Sequence, residues 1–198
     1  MPRTPQQNQL LKQERRGALL KAAREVFARK GLAASKMTDL AAAAGISYGL
    51  VYHYFPDKES VFAALVEEAV QEGLQLITAA RQGPGTPWEQ LHGVCARLLE
   101  RVREEPSVPL ILVQAYAGES APGPVEEALA RYSTRFFQQL VELLEAGQQA
   151  GQVVDVPAPE LARTLLATVQ GLALTQLLPQ LGGTPFPSAG TVLRLFKP

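Results

Sequence analysis

Apolar residues recur at intervals of three and four along most of the chain, and runs that alternate strictly between apolar and polar residues are nearly absent. Intervals of three and four place side chains on one face of an α-helix, whereas a strand needs an interval of two. The sequence therefore predicts an all-α fold. The 198 residues, 46% of them apolar and 19% charged, are enough to bury a substantial core in one or two domains.

Three helices are predicted in the first 55 residues, with bounds of about 10–30, 37–44 and 48–55. Gly31 ends the first, and Ser35 is a candidate N-cap for the second. Ser47 is a good N-cap for the third, which ends at Phe55 before a proline. Because only the short turn "AGIS" separates the last two helices, we expect a helix-turn-helix unit.

A long fourth helix is predicted after Asp57, its N-cap, and ends near Arg81. Further helices are predicted at about 87–104, 107–118, 124–150, 159–179 and 188–196. We therefore expect a three-helix domain over residues 1–60, followed by a larger helical domain over residues 61–198.

Charge is distributed unevenly along the chain. Residues 1–60 contain ten Lys or Arg and five Asp or Glu, a net charge of +5, and since the whole chain is neutral the remainder carries −5. This asymmetry indicates that the N-terminal unit meets a polyanion. Two solvated surfaces of unequal charge are the alternative.

Several classes of protein do not fit the sequence. The N-terminus is polar and basic and lacks the apolar region of a secretory signal. The longest apolar stretch, which starts at Leu161, contains Arg163 and Gln170, both costly in lipid. Cys95 is the single cysteine, which excludes an intrachain disulfide and a multi-cysteine zinc site. We expect a cytoplasmic protein without a membrane partner, metal or cofactor.

The stretch "GISYGLVYHYFPDKES" contains the third helix and four aromatic residues. An advance of about 100° per residue divides this helix into two faces. The face expected to be buried comprises Leu50, Val51, Tyr54 and Phe55. The face expected to be exposed comprises Tyr48, Gly49, Tyr52 and His53. Hydroxyl and imidazole groups on rigid rings, beside a glycine, suit contact with phosphates and base edges; an aromatic patch for protein contact is the alternative.

Other residues near this helix are candidates for phosphate binding. Lys58 follows the Asp57 cap at the positive end of a helix dipole, a position that costs about 0.3–1 kcal/mol and that an anion would offset. Ser35, Lys36 and Thr38 lie at the start of the second helix. Their alternative role is capping of that helix.

The run "MTDLAAAAGISYGLVYHYFPDKESVF" and the preceding "VFARKG" resemble the DNA-binding domain of TetR-type transcriptional repressors. The resemblance covers about residues 15–65. It implies that the recognition helix contacts DNA through Ser47, Tyr48, Gly49, Tyr52 and His53, and that Lys58 contacts a phosphate. Two positions depart from the family pattern: Lys36 stands where many members have a hydroxyl residue, so the cap is expected to move to Ser35, and Leu50 replaces a frequent threonine.

The resemblance also implies a C-terminal domain that binds a small effector and forms a homodimer. The protein is then expected to repress transcription from a palindromic operator in double-stranded DNA and to be released by an apolar or amphipathic effector. The helix at 159–179 is apolar around most of its circumference and so needs cover on several sides. The interface residues expected in a four-helix contact are Phe136, Leu140, Leu144, Leu161, Leu165, Val169 and Leu172. A monomer with a thick core is the alternative.

One stripe of the fifth helix carries Trp88, His92, Cys95 and Leu99, which are candidates to line an effector cavity. A place in the core is the favoured alternative, because Trp and Cys are frequently buried. The segment "SVPLILVQAYAGES" is a second candidate wall. Two alternative functions use the same residues or surfaces: a helical protein-interaction module, or a small all-α enzyme acting through Cys95 and His92. The enzyme lacks an identified third group to orient the pair, and the glycine-rich segments lack phosphate-loop and dinucleotide patterns.

Overall fold

The computed structural model describes residues 5–117, 123–176, 178 and 184–198, and over these residues it contains helices and no strand. The helices of the N-terminal half are α1 (Pro5–Ala34), α2 (Met37–Ala44), α3 (Tyr48–Tyr54) and α4 (Lys58–Gln82). The others are α5 (Pro87–Glu104), α6 (Ser107–Ala117), α7 (Gly123–Ala128), α8 (Thr134–Gln149), α9 (Ala158–Thr175) and α10 (Ala189–Val192). A π-helical turn (Leu129–Ser133) joins α7 to α8, and a 3₁₀ turn (Leu193–Phe196) follows α10.

These bounds confirm the all-α prediction and most of the predicted helices. The predicted helix at 124–150 is divided, because the chain passes through the π-helical turn between α7 and α8. The predicted ends at residues 118 and 179 lie outside the described residues. Within the part of the chain that is described, no helix is both long and apolar enough to cross a membrane.

Gly31 breaks α1 shortly before its end. Its φ of 75° and ψ of 163° lie in a region that glycine adopts and other residues avoid. After this break the Ser35 hydroxyl donates a hydrogen bond to the Gly31 carbonyl oxygen at 2.6 Å, and Ser35 is buried. The serine therefore stabilises the link between α1 and α2 and does not cap α2.

Lys36, not Ser35, occupies the N-cap position of α2. The Asp39 carboxylate accepts a hydrogen bond from the Lys36 backbone N–H at 3.0 Å and lies 3.2 Å from the Lys30 ammonium. The backbone hydrogen bond and then the Lys30 charge lower the pKa of Asp39. A carboxylate in the first turn also suits the helix dipole, so Asp39 replaces the expected serine cap.

A first apolar core joins α1, α2, α3 and the first half of α4, with contributions from α6 and α7. Phe27 of α1 and Phe62 of α4 meet edge to face, with ring centroids 5.4 Å apart. Aromatic pairs in this geometry contribute beyond the area that they bury. This core fixes α3 against the rest of the chain.

A second core joins the end of α4 to α5, α8, α9 and the C-terminal segment. Gly147 lets α8 meet the chain that follows it, because a Cβ atom there would lie 2.5 Å from Val153 Cγ2. Since α4 contributes Val61 to the first core and Ile77 to the second, the predicted boundary at residue 60 falls within the first turn of a helix that both cores share.

Five of the predicted dimer-interface residues belong to the second core. They are Leu140, Leu144, Leu161, Leu165 and Val169. Each is less than a tenth exposed in the single chain, so it has almost no surface left for a partner subunit. Phe136 and Leu172 are half-buried and pack against the same core. The expectation that this stripe forms the interface is therefore revised: the apolar circumference of α9 is covered largely by its own chain.

Candidate nucleic-acid interface and effector cavity

The inner face of α3 holds the helix in the first core. Val51 is fully buried and Phe55, which ends the helix, is 5% exposed. The Arg16 guanidinium of α1 lies over the Phe55 ring, 5.0 Å from its centroid, in the geometry of a cation–π contact. Leu50 and Tyr54 are half-buried. The predicted division of α3 into two faces is confirmed on this side.

The outer face of α3 presents Tyr48 and Tyr52, which are 50% and 44% exposed. Their hydroxyl oxygens lie 2.9 Å apart and their ring centroids 4.9 Å apart. The hydrogen bond with Tyr48 raises the pKa of Tyr52. One hydroxyl of the pair must donate and the other accept, so the two rings hold each other in place. One hydroxyl hydrogen and three lone pairs of the pair remain for an external partner.

Ser47, Gly49 and His53 are also exposed around this tyrosine pair. Ser47 occupies the N-cap position, and among the described residues its hydroxyl makes no capping hydrogen bond to α3. Because the residue is exposed and its hydroxyl does not cap the helix, the hydroxyl remains able to bind a ligand. At the start of α2, Lys36 and Thr38 are exposed as well. DNA contact by these residues stays a prediction.

Lys58 has a different environment from the one that the sequence indicates. Its ammonium donates hydrogen bonds to the carbonyl oxygens of Leu32, Ala33 and Ser35, at 3.0, 3.0 and 3.1 Å. An ammonium has three hydrogens, so this one is used completely by the link between α1 and α2. The geometry supports a structural role for Lys58 in place of the expected phosphate contact. Ser35 is buried, so it does not contribute to the expected DNA-binding surface.

The short helix α3 follows a tight turn and lies within a three-helix core, with one face anchored and the other polar and aromatic. This arrangement defines a helix-turn-helix DNA-binding protein. A family model described as bacterial regulatory proteins of the tetR family matches residues 19–65. These residues include α2, α3 and the start of α4. The chain thus carries a tetR-type DNA-binding domain over residues 19–65, as the resemblance in its sequence indicated.

Known proteins similar to this chain extend the likeness beyond the DNA-binding domain. The HTH-type transcriptional repressor BepR of Brucella suis biovar 1 is 28% identical over 172 residues, which cover 83% of this chain and 81% of BepR. The structure of AibR in complex with isovaleryl coenzyme A and operator DNA has a TM-score of 0.75 and 18% identity, and the match covers 93% and 99% of the two chains. The structure of FadR from Bacillus subtilis in complex with stearoyl-CoA has a TM-score of 0.70 and 18% identity. This match covers 90% of this chain and 95% of FadR.

A cavity of 840 Å³ lies between α4, α5, α6, α8 and α9. Its apolar wall includes Leu98, Leu112, Phe136, Phe137 and Leu166. Its polar lining consists mainly of charged side chains from the middle of α4 and the end of α5. The volume lies within the range of small-molecule sites, which combine apolar walls with a few polar groups.

The residues predicted to line a cavity lie elsewhere. Cys95 and Leu99 are buried in the second core, and His92 is exposed. Trp88 is half-buried beneath the Lys197 ammonium, which lies 5.2 Å from its ring centroid. Trp88 and His92 line a second cavity of 550 Å³ together with residues of the C-terminal segment, whereas Cys95 and Leu99 belong to the core. The second predicted wall, the segment from Ser107, does reach the 840 Å³ cavity through Val108, Pro109, Leu112 and Tyr116.

The sequence did not predict most of the cavity residues on α4 and α5. Leu76 and Gly73 of α4 were indistinguishable from core residues of an amphipathic helix. Arg101 offered a local signal, because it lies on α5 next to the apolar stripe. Desolvation by burial lowers the pKa of this arginine, and Glu72 pairs with it.

Proposed function

We propose that the chain is a ligand-responsive transcriptional repressor that binds a palindromic operator as a homodimer and is released by a small amphipathic effector. The observation that carries this proposal is the exposed Tyr48–Tyr52 pair on a recognition helix whose other face is locked in the core. The name of BepR as a repressor, the ligand and operator DNA bound to AibR, and the ligand bound to FadR support it.

In the proposed complex, α3 enters the major groove with its N-terminal residues against the base edges. Ser47 and Tyr48 lie there, and Gly49 allows close approach of the backbone. Tyr52 and His53, one turn further on, reach the groove wall, while Lys36 and Thr38 hold the phosphates beside α2. We retain a DNA-binding unit over residues 1–60 and a regulatory unit over residues 61–198, with α4 passing between them.

A dimer places two such helices about one turn of DNA apart, roughly 34–36 Å. The partner subunit is proposed to cover the outward stripe of α9 and the residues after it. This stripe contains Ala167, Gly171, Leu174 and Leu178. Leu174 is 48% and Leu178 42% exposed, and no heavy atom of the described chain lies within 4 Å of a Cβ built on Gly171. A close helix pair could therefore form there.

The effector is proposed to occupy the 840 Å³ cavity. Its apolar body would lie against Phe136 and Phe137, and its polar end would face the charged side chains of α4 and α5. Since α6 lines the cavity and also packs against α1, an occupant could change the position of the DNA-binding unit. The state that binds the effector better gains population at the expense of the other state.

We do not propose that Cys95 acts as a catalytic nucleophile. Burial raises the pKa of this thiol to about 11, so almost none of it is a thiolate at neutral pH. We propose that the protein acts in the cytoplasm, where the DNA lies, and is not an enzyme.

Footprinting on the DNA that flanks its own gene tests DNA recognition. We expect a protected inverted repeat, and a steep fall of affinity with salt, because each phosphate neutralised in the complex adds about 0.9 to the slope of log K against log salt concentration. Binding that shows no footprint and little salt dependence would support a protein-interaction module instead. A screen for small molecules that release the footprint then tests the regulatory half separately.

A further inference from the structure

Glu105 belongs to two structural units at once. It follows α5 directly, lines the 840 Å³ cavity, and accepts a hydrogen bond from Arg24 Nη1 of α1 at 2.7 Å. The Glu105 side chain is 41% exposed, whereas that of Arg24 is 15% exposed. One carboxylate therefore connects the cavity wall directly to a helix of the DNA-binding unit.

From Arg24 the contacts continue to the recognition helix. Its second nitrogen, Nη2, lies 3.7 Å from Glu68 of α4, and Arg16 of α1 lies 4.0 Å from the same glutamate. Arg16 in turn covers the ring of Phe55 at the end of α3. The path from cavity to α3 thus consists of three ion pairs and one cation–π contact.

Both guanidinium groups that line the cavity have partners on the same wall. Arg101 pairs with Glu72, and Arg97 pairs with Glu100 at 3.1 Å. Of the described side chains that line the cavity, four carry a carboxylate and two a guanidinium. The wall is thus net negative without Arg24, which lies behind it.

We propose that the effector is an amphipathic cation and that Glu105 is the residue that senses it, by exchanging Arg24 for the positive group of the effector. This inference rests on the proposed function of the cavity as the effector site. A carboxylate only accepts hydrogen bonds, so a group that competes with Arg24 must donate hydrogen bonds or carry positive charge. The apolar tail lies against the phenylalanines of α8.

Among the described residues, loss of Glu105 leaves Arg24 with its longer contact to Glu68. The hydrogen bonds from Ser107 to Glu25 and from Gln114 to the Phe27 carbonyl still join α6 to α1. The consequence is a shift of α1 on α6 and not separation of the two units. Such a shift changes the spacing of the recognition helices in the dimer and weakens operator binding.

The test uses three probes with the same ten-carbon tail, below the concentration at which they form micelles: decyltrimethylammonium, decanoate and decan-1-ol. Binding to the full chain is measured by calorimetry, and operator release by fluorescence anisotropy with a duplex recovered by in vitro selection. We expect the cation to bind at least tenfold more tightly than decanoate and to weaken operator binding roughly tenfold or more.

Glu105→Gln keeps the shape of the side chain and removes its charge. We expect operator binding without probe to weaken about two- to fivefold, and the effect of the cation on operator affinity to fall to about twofold or less. Glu145→Gln is the matched control, because Glu145 is exposed on α8 and is not among the residues that line the cavity: its operator response should stay at the wild-type level. Arg24→Gln breaks the same pair from the other side and gives an independent measurement, with circular dichroism to check folding.

The outcomes separate the two proposals. If no probe of any charge binds, the cavity is not the effector site and the proposed function fails in its regulatory half. If decanoate binds and releases operator while the cation does not, the effector class is wrong and the proposed function stands. If Glu105→Gln and Arg24→Gln both respond to the cation like the wild type, Glu105 is not the sensor.

Discussion

Replacing Lys58 by methionine tests the structural role of this residue against the phosphate contact that the family resemblance implies. Methionine keeps the length of the side chain and removes the three hydrogen bonds to the carbonyl oxygens of Leu32, Ala33 and Ser35. A hydrogen bond to a charged group contributes about 1.5–3 kcal/mol when buried. The bond to Ala33 is exposed and the other two are part-buried, and the Lys58 side chain is 24% exposed, so solvent reduces the total.

We expect Lys58→Met to lower the free energy of unfolding by about 2 kcal/mol. In a chain of this size each kcal/mol shifts the melting temperature by about 2–4 °C, which predicts a decrease of about 4–8 °C. Thermal unfolding followed by circular dichroism measures it. Lys36→Met is the control, because Lys36 is exposed at the start of α2: we expect its melting temperature to be unchanged and its operator binding to depend less on salt.

The opposite pattern would refute the structural assignment. Lys58→Met would then melt like the wild type, and the salt dependence of its operator binding would fall by about 0.9 for each phosphate that a subunit no longer neutralises. In that case Lys58 binds DNA, and water replaces its ammonium at the three carbonyl oxygens at little cost.

Substitutions at Gly147, Cys95 and the tyrosine pair test other parts of the structure. Gly147→Ala should destabilise the protein by about 1–3 kcal/mol, measured by urea unfolding, because the added methyl group meets Val153 at 2.5 Å. Cys95 should resist iodoacetamide at pH 8 until the chain is unfolded. The fold raises the pKa of this thiol from 9.0 to about 11. The stability that the protonated thiol contributes is therefore present below pH 9 and is lost as the pH rises to about 11. Tyr52→Ala should weaken binding to all DNA sequences alike, whereas Tyr48→Ala should change the preference among sites, as measured by in vitro selection. If both variants changed the site preference equally, the assigned positions on α3 would be contradicted.

Local periodicity in the sequence was sufficient to predict the helices and the two faces of the recognition helix. At about 100° per residue, Val51 and Phe55 must lie opposite Tyr48 and Tyr52, and the structure buries the first pair and exposes the second. Asp57 was likewise predictable as a cap, because its carboxylate accepts the N–H of Ser60 only three residues away, at 2.7 Å.

Packing between distant segments decided the surroundings of residues whose sequence pattern alone was ambiguous. Lys58 and Ser35 match the patterns of phosphate-binding residues, yet the first bonds carbonyl groups 23 to 26 residues away and the second is buried. The apolar side chains of α9 could not be divided between core and dimer interface by periodicity, because a helix that is apolar on several sides does not specify which neighbour covers each side. The cavity and the Arg24–Glu105 pair arise where α1, α4, α5 and α6 converge, an arrangement that depends on contacts between helices and leaves no local signal in the sequence.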